Sequence, residues 1–107
     1  MKNKIFLDDK RSFEEPQKFG YQCVRNYSHC TIMLDIYKND LSVLNLDFDL
    51  GTPETGLDIL IYMEQNNIVP DEIIIHSTHE TGVKKMEKKI KQSFPHSKYS
   101  YCPYEDK

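Results

Sequence analysis

The stretch Leu41-Ser42-Val43-Leu44-Asn45-Leu46-Asp47-Phe48-Asp49-Leu50-Gly51 decides how this chain folds. A largely apolar run ends in two acids, one residue apart, and then a glycine. The same pattern occurs earlier, where Lys4-Ile5-Phe6-Leu7 runs into Asp8-Asp9. Short apolar runs of this kind read as buried parallel strands, because a strand covered on both faces has no solvent side with which to alternate. In an open α/β sheet, groups just past the carboxyl ends of neighbouring strands converge on one crevice, where ligands bind. Asp8, Asp9, Asp47 and Asp49 are therefore expected to meet. Their mutual repulsion calls for a cation, and an oxygen-rich set suits Mg²⁺ or Mn²⁺.

Outward from these two stretches, strand-like and helix-like segments alternate, which predicts a parallel sheet joined by crossover helices. Strands are expected over 4–7, 21–26, 42–46, 72–76 and 98–101. Gly20 leads into the second of them. A short amphipathic piece falls around 13–19. Ser28 is read as the cap of a helix over 31–37, with Ile32, Ile36 and Met33 turned to the sheet. Gly51 to Gly56 reads as a loop, followed by a helix over 57–65 that places Leu57, Leu60, Ile61 and Glu64 at helical spacing. Pro70 and Asp71 end it. Val83, Met86, Ile90 and Phe94 fall three and four apart, so a helix over 81–94 is amphipathic. Few residues follow the last strand, so a final covering helix is expected to be missing, leaving sheet edge or face for a partner or a second copy.

The whole of residues 1–107 is read as one domain, long enough for a single core. With 14 basic and 17 acidic residues the chain is mildly acidic, without the global basic field that generic nucleic-acid binding uses. No apolar stretch nears the roughly 20 residues needed to span a bilayer. The apolar run after the charged start is too short for a signal peptide. Cys23, Cys30 and Cys102 are odd in number and fit neither a disulfide framework nor a zinc motif. A cytoplasmic location is expected.

An Asp-Asp pair after strand one, an Asp after strand three, a hydroxyl after strand four and an X-Pro-aromatic after strand five together form a layout that resembles the response-regulator receivers. Here those positions are Asp8-Asp9, Asp47, Ser77 (or Thr78) and Cys102-Pro103-Tyr104. The triplet departs at its first position, where receivers carry a Lys that pairs with the phosphoryl group. Leu7-Asp8-Asp9-Lys10-Arg11, Val24-Arg25-Asn26-Tyr27, Leu46 to Gly51, Thr55-Gly56 and His76-Ser77 with Gly82 and Met86 match more narrowly. This set is similar to the cyclic-phosphate processing receiver domains, over nearly the whole chain. The resemblance implies a flavodoxin-like, three-layer fold with a five-stranded parallel sheet of order 2-1-3-4-5. It further implies handling of a cyclic phosphate, such as an RNA 2′,3′-cyclic end or a cyclic nucleotide.

On that reading Asp8, Asp9 and Asp47 hold the metal and Asp49 supports it, or Asp49 merely caps its loop. Arg11 and Arg25 clamp phosphate oxygens in place of the missing Lys, or else pair with the acids as structural ion pairs. His76 gives or takes a proton, Ser77 donates to phosphate, and Asp47, if it does not only hold the metal, itself attacks phosphorus to form an aspartyl-phosphate. The alternatives are a non-catalytic phosphate- or cyclic-nucleotide-binding module and a degenerate receiver switched by phosphorylation of Asp47. His79 reads as a loop residue or cap neighbour, and His29 and His96 as surface groups. Lys84, Lys85, Lys88, Lys89 and Lys91 form a solvated helix face or a nucleic-acid contact. Tyr104 is a candidate for stacking on a base. The Cys102–Pro103 bond is expected to be cis by receiver analogy, with Cys102 in a packing role.

Overall fold

The computed structural model describes residues 3–103. Five strands, β1 (Asn3–Leu7), β2 (Tyr21–Val24), β3 (Leu41–Leu46), β4 (Glu72–Ile75) and β5 (Lys98–Tyr101), alternate with four helices. The helices are α1 (Glu14–Lys18), α2 (Tyr27–Ile36), α3 (Gly56–Gln65) and α4 (Glu80–Ser93). The strands pair in parallel in the order β2-β1-β3-β4-β5, which is the expected receiver-like sheet.

Strand alternation divides the sheet into two chemically different faces. Ile5, Leu7, Leu44, Leu46, Ile73 and Ile75 are buried in the main core with Leu34 of α2, Ile59, Leu60 and Met63 of α3, and Met86 and Ile90 of α4. Phe6 is equally buried but belongs to the other face, where Phe13 and Tyr21 meet it edge-on. On this second side the short α1 packs against β2. Among the described residues no helix follows β5.

Three local expectations are corrected. First, α2 starts earlier, at Tyr27, because Asn26 is its cap: the Asn26 side chain accepts from the His29 N–H at 2.8 Å, so Ser28 lies inside the helix and β2 stops at Val24. Second, this start sets which stripe is buried. Cys30 and Leu34 point inward, while Ile32 and Ile36 are 57% and 64% exposed. Counting apolar residues favoured the isoleucines, yet they lie about half a turn away from the stripe the sheet covers. Third, no cis peptide bond occurs among the described residues, so Cys102–Pro103 is trans. The Cys102 N–H continues the β5 ladder by donating to Ile75 O at 2.9 Å.

By contrast, the stripe Val83, Met86, Ile90 and Phe94 is buried as its spacing predicts. His79 is itself the α4 cap, its Nδ1 accepting from the Gly82 N–H at 2.9 Å. Tyr104 lies outside the described residues.

Candidate functional site

The site is a consequence of register. Leu7 aligns with Val24 and Leu46, and Leu46 with Ile75, so β1, β3 and β4 end level with one another. The ladder then runs one residue further. Asp8 N–H donates to Val24 O, Asp47 N–H to Leu7 O, and His76 N–H to Leu46 O, each at 3.1 Å. Asp8, Asp47 and His76 thereby form one row across three strands, on the face that also carries Phe6 and Asn45. Their ligating atoms all lie within 4.8 Å of one another.

Asp8 is nearly inaccessible and heavily bonded. Its Oδ1 accepts from the N–H groups of Lys10 (2.9 Å) and Arg11 (2.8 Å), closing a tight turn after β1. Its Oδ2 faces His76 Nε2 at 2.9 Å, with Arg11 Nε at 3.7 Å. Burial alone would raise the Asp8 pKa. The bond from His76 and the two backbone N–H donors outweigh it, and the carboxyl titrates at about 2 against an ordinary 3.8. Asp47 moves the other way: burial raises it, the charge of His76 opposes that, and the Asp8 charge raises it further. Asp47 Oδ1 accepts from the Phe48 N–H at 2.8 Å, and the Ser77 hydroxyl accepts from the His79 N–H at 3.0 Å.

His76 is held from three sides. Its ring stacks on Phe6 at 4.6 Å with planes 3° apart. Its Nδ1 lies 2.6 Å from Asn45 Oδ1. The imidazole thus lies between Asp8 Oδ2 at Nε2 and Asn45 Oδ1 at Nδ1, and the polar chain Asp8–His76–Asn45 sits within an otherwise apolar layer. Asn45 was missed by sequence reasoning. Its signal was an amide at an apolar position, two residues before Asp47 and hence on the same face.

The remaining site residues sit around this row. A cavity of about 290 Å³ is lined by Asp8, Asp9, Lys10, Arg11, Asp47, His76 and Thr78. An adjoining one of about 390 Å³ shares Asp9, Lys10, Asp47 and Thr78 and adds Asp49, Ser77 and His79. Asp9 therefore reaches both. Asp49 is exposed and its Oδ1 accepts from the Gly51 N–H at 3.0 Å, which is the loop-capping role. Gly51 adopts φ +70°, a conformation that favours glycine in this turn, while a Cβ there would approach Asp9 Oδ2 to 3.0 Å, a contact the carboxylate can relieve by turning.

Arg25 is turned to the backbone beneath the Asp8 turn. Its Nη1 donates to Arg11 O at 2.7 Å and to Asp8 O at 3.3 Å, and its guanidinium lies 3.8 Å over the Phe13 ring. Lys10, to which sequence reasoning gave no role, is the second cation beside Arg11 in the acid cavity. Tyr101 donates to Ser77 O at 2.9 Å and so ties β5 to the site loop.

Whether these residues fit a divalent cation can be judged from their donor set. Two buried or half-buried carboxylates face each other with opposed pKa shifts, and a third, Asp9, lines the same cavity. Hard oxygen donors brought this close together suit Mg²⁺ or Mn²⁺, so the set fits.

Acid sensitivity follows from Asp8. Because its native pKa lies below its unfolded one, its stabilising contribution is complete above about pH 4. It fades as pH falls towards 2 and amounts to about 2 kcal/mol. Asp47, being raised, acts in the opposite sense and relieves a penalty as it protonates. Urea midpoints measured between pH 6 and pH 2 are expected to fall less steeply in Asp8→Asn than in the native chain. Parallel curves for the two proteins would contradict this account.

A family model described as the cyclic-phosphate processing receiver domain matches residues 3–92. No curated protein and no solved structure matches the chain. Among the described residues, no helix is long and apolar enough to cross a membrane.

Proposed function

The chain belongs to the cyclic-phosphate processing receiver domain family, and from that premise we propose that it is a divalent-metal-dependent phosphoesterase that opens a cyclic phosphate diester with water. The observation that carries this reading is the meeting of Asp8, Asp47 and His76 within 4.8 Å at the ends of three adjacent strands, in a cavity that Lys10 and Arg11 also line.

Ring opening forms a bond from water oxygen to phosphorus and breaks one from phosphorus to a ring oxygen. The water must lose a proton and the departing alkoxide must gain one. Asp47 is suited to the first task, since burial and the Asp8 charge raise its affinity for a proton. His76 is suited to the second, since it holds a proton on Nε2, 2.9 Å from Asp8 Oδ2 at the cavity wall. Lys10 and Arg11 bind the non-bridging phosphate oxygens, and the Ser77 hydroxyl adds a hydrogen bond to them. Arg25 acts through Arg11, whose carbonyl it holds. Asp8, Asp9 and Asp47, supported by Asp49, would hold a divalent cation, which would supply charge neutralisation for the developing oxyanion.

Phosphorus NMR tests this directly. Incubation with a panel of cyclic phosphates and Mg²⁺ or Mn²⁺ is expected to produce ring-opened ester signals. Chelator is expected to abolish them, and Asp47→Ala to reduce their rate by at least about 100-fold. Broadened substrate signals with no product would make the protein a phosphate-binding module instead. No change in any spectrum would remove the reading altogether.

A further inference from the structure

We infer that His79 is a second histidine of the binding site: its Nε2–H donates a hydrogen bond to a phosphoryl oxygen of the bound ester, while its Nδ1 caps α4. This rests on the function proposed above, and gives a role to a residue which that mechanism leaves unused.

The tautomer follows from the cap. The Gly82 N–H can only donate, and it donates to His79 Nδ1 at 2.9 Å. That nitrogen therefore presents its lone pair, which leaves the proton of the ring on Nε2. Two further contacts hold the imidazole in this pose. Its ring lies against Phe48, with centroids 4.7 Å apart and planes tilted by 34°. Phe48 itself packs against the backbone of Gly82, where no Cβ would fit. The backbone N–H of His79 donates to Ser77 Oγ, which ties the segment after β4 to the start of α4.

His79 lines the cavity of about 390 Å³. Four other residues of its wall, Asp9, Lys10, Asp47 and Thr78, also line the cavity that holds Asp8 and His76, so the two are parts of one recess. The two histidines differ in what is left open. His76 is buried and has both ring nitrogens engaged, by Asp8 and Asn45. His79 is exposed, and among the described residues its Nε2 has no hydrogen-bond partner. A nitrogen that carries a proton neither ligates a cation nor takes a proton from water, so His79 Nε2 is left with the role of donor. Phosphoryl oxygens and the carboxylates of Asp9, Asp47 and Asp49 are all acceptors. A phosphate held among those acids therefore needs N–H groups aimed at it, and Lys10 and His79 bring them to this part of the recess.

Two experiments test this. In the native chain, long-range proton–nitrogen NMR correlations are expected to find His79 Nδ1 bare and Nε2 protonated. Titration with inorganic phosphate in the presence of Mg²⁺ is expected to shift the Nε2 resonance. A proton on Nδ1, or an Nε2 signal that stays in place while phosphate binds, overturns the inference. His79→Asn keeps an oxygen that can accept from the Gly82 N–H but removes the donor, so it is expected to fold and to melt near the native temperature. Its kcat for ring opening is expected to fall about 100-fold. A rate close to the native one would confine His79 to capping α4 and overturn the inference, while loss of activity in Asp47→Ala would leave the cyclic-phosphate reading intact. A native protein that neither binds phosphate nor opens any cyclic ester removes the two together.

Discussion

Replacing His76 with leucine is expected to destabilise the protein by about 3 kcal/mol or more and to abolish ring opening. The change keeps the volume of a side chain that is only 2% exposed, so it leaves no large cavity. It removes the hydrogen-bonded imidazole from Asp8 Oδ2 and leaves the Asn45 side-chain oxygen without that partner in an apolar layer. Breaking a buried pair from one side costs about 3–5 kcal/mol, because the surviving charge keeps its desolvation penalty. Asp8 retains its two backbone donors and Arg11 at 3.7 Å, which places the loss toward the lower end. Adding Asp8→Asn to the His76→Leu protein should recover part of the stability, and a double-mutant cycle in urea would read the coupling. A loss below about 0.5 kcal/mol would mean that the bonds of His76 to Asp8 and Asn45 contribute nothing net to stability.

Gly56→Ala is expected to be comparably severe, although it adds a single methyl group to the first residue of a helix. A Cβ there would lie 2.2 Å from Asp47 O and 2.9 Å from Met86 Sδ. The thioether can move. The carbonyl cannot, because the Asp47 N–H is bonded to Leu7 O and the Gly56 N–H to Phe48 O. Helix α3 and the end of β3 must therefore separate, which costs about 3 kcal/mol, at the top of the usual range for overpacking. For a domain of 107 residues this corresponds to a fall in Tm of roughly 10 °C or more. The displaced backbone is that of Asp47, so activity should fall further than stability predicts. A thermal scan within 2 °C of the native protein would show that the two elements have slack the packing does not suggest.

The parallel sheet was legible because its signals are local. Buried parallel strands must be apolar throughout, so Ile5-Phe6-Leu7 and the run before Asp47 announce themselves. Asp8, Asp9 and Asp47 stand out because a charge directly after such a run can only be at the sheet's carboxyl edge. The α4 stripe was equally clear, since four apolar residues on a helix otherwise rich in lysine leave one choice of buried face. Helix α2 offered no such choice: apolar residues surround it, and placement on the sheet, set by the Asn26 cap, decided that Cys30 and Leu34 go in.

The acids, the histidine and the alternation of strands with helices thus belong to what the amino-acid sequence determines by itself, because each depends on neighbours within a few residues. The tertiary structure decided which of them touch. Asp8 and His76 are 68 residues apart, and Asn45 stands 31 from His76. Their contact exists only through the level ends of β1, β3 and β4. The same register sends Arg25 to the carbonyls of Asp8 and Arg11 and leaves Lys10 and Arg11 at the acid cavity. A long flexible cation can reach several partners, and only packing selects one. Hence residue types were readable from the chain, whereas the partners each side chain meets were decided by the fold.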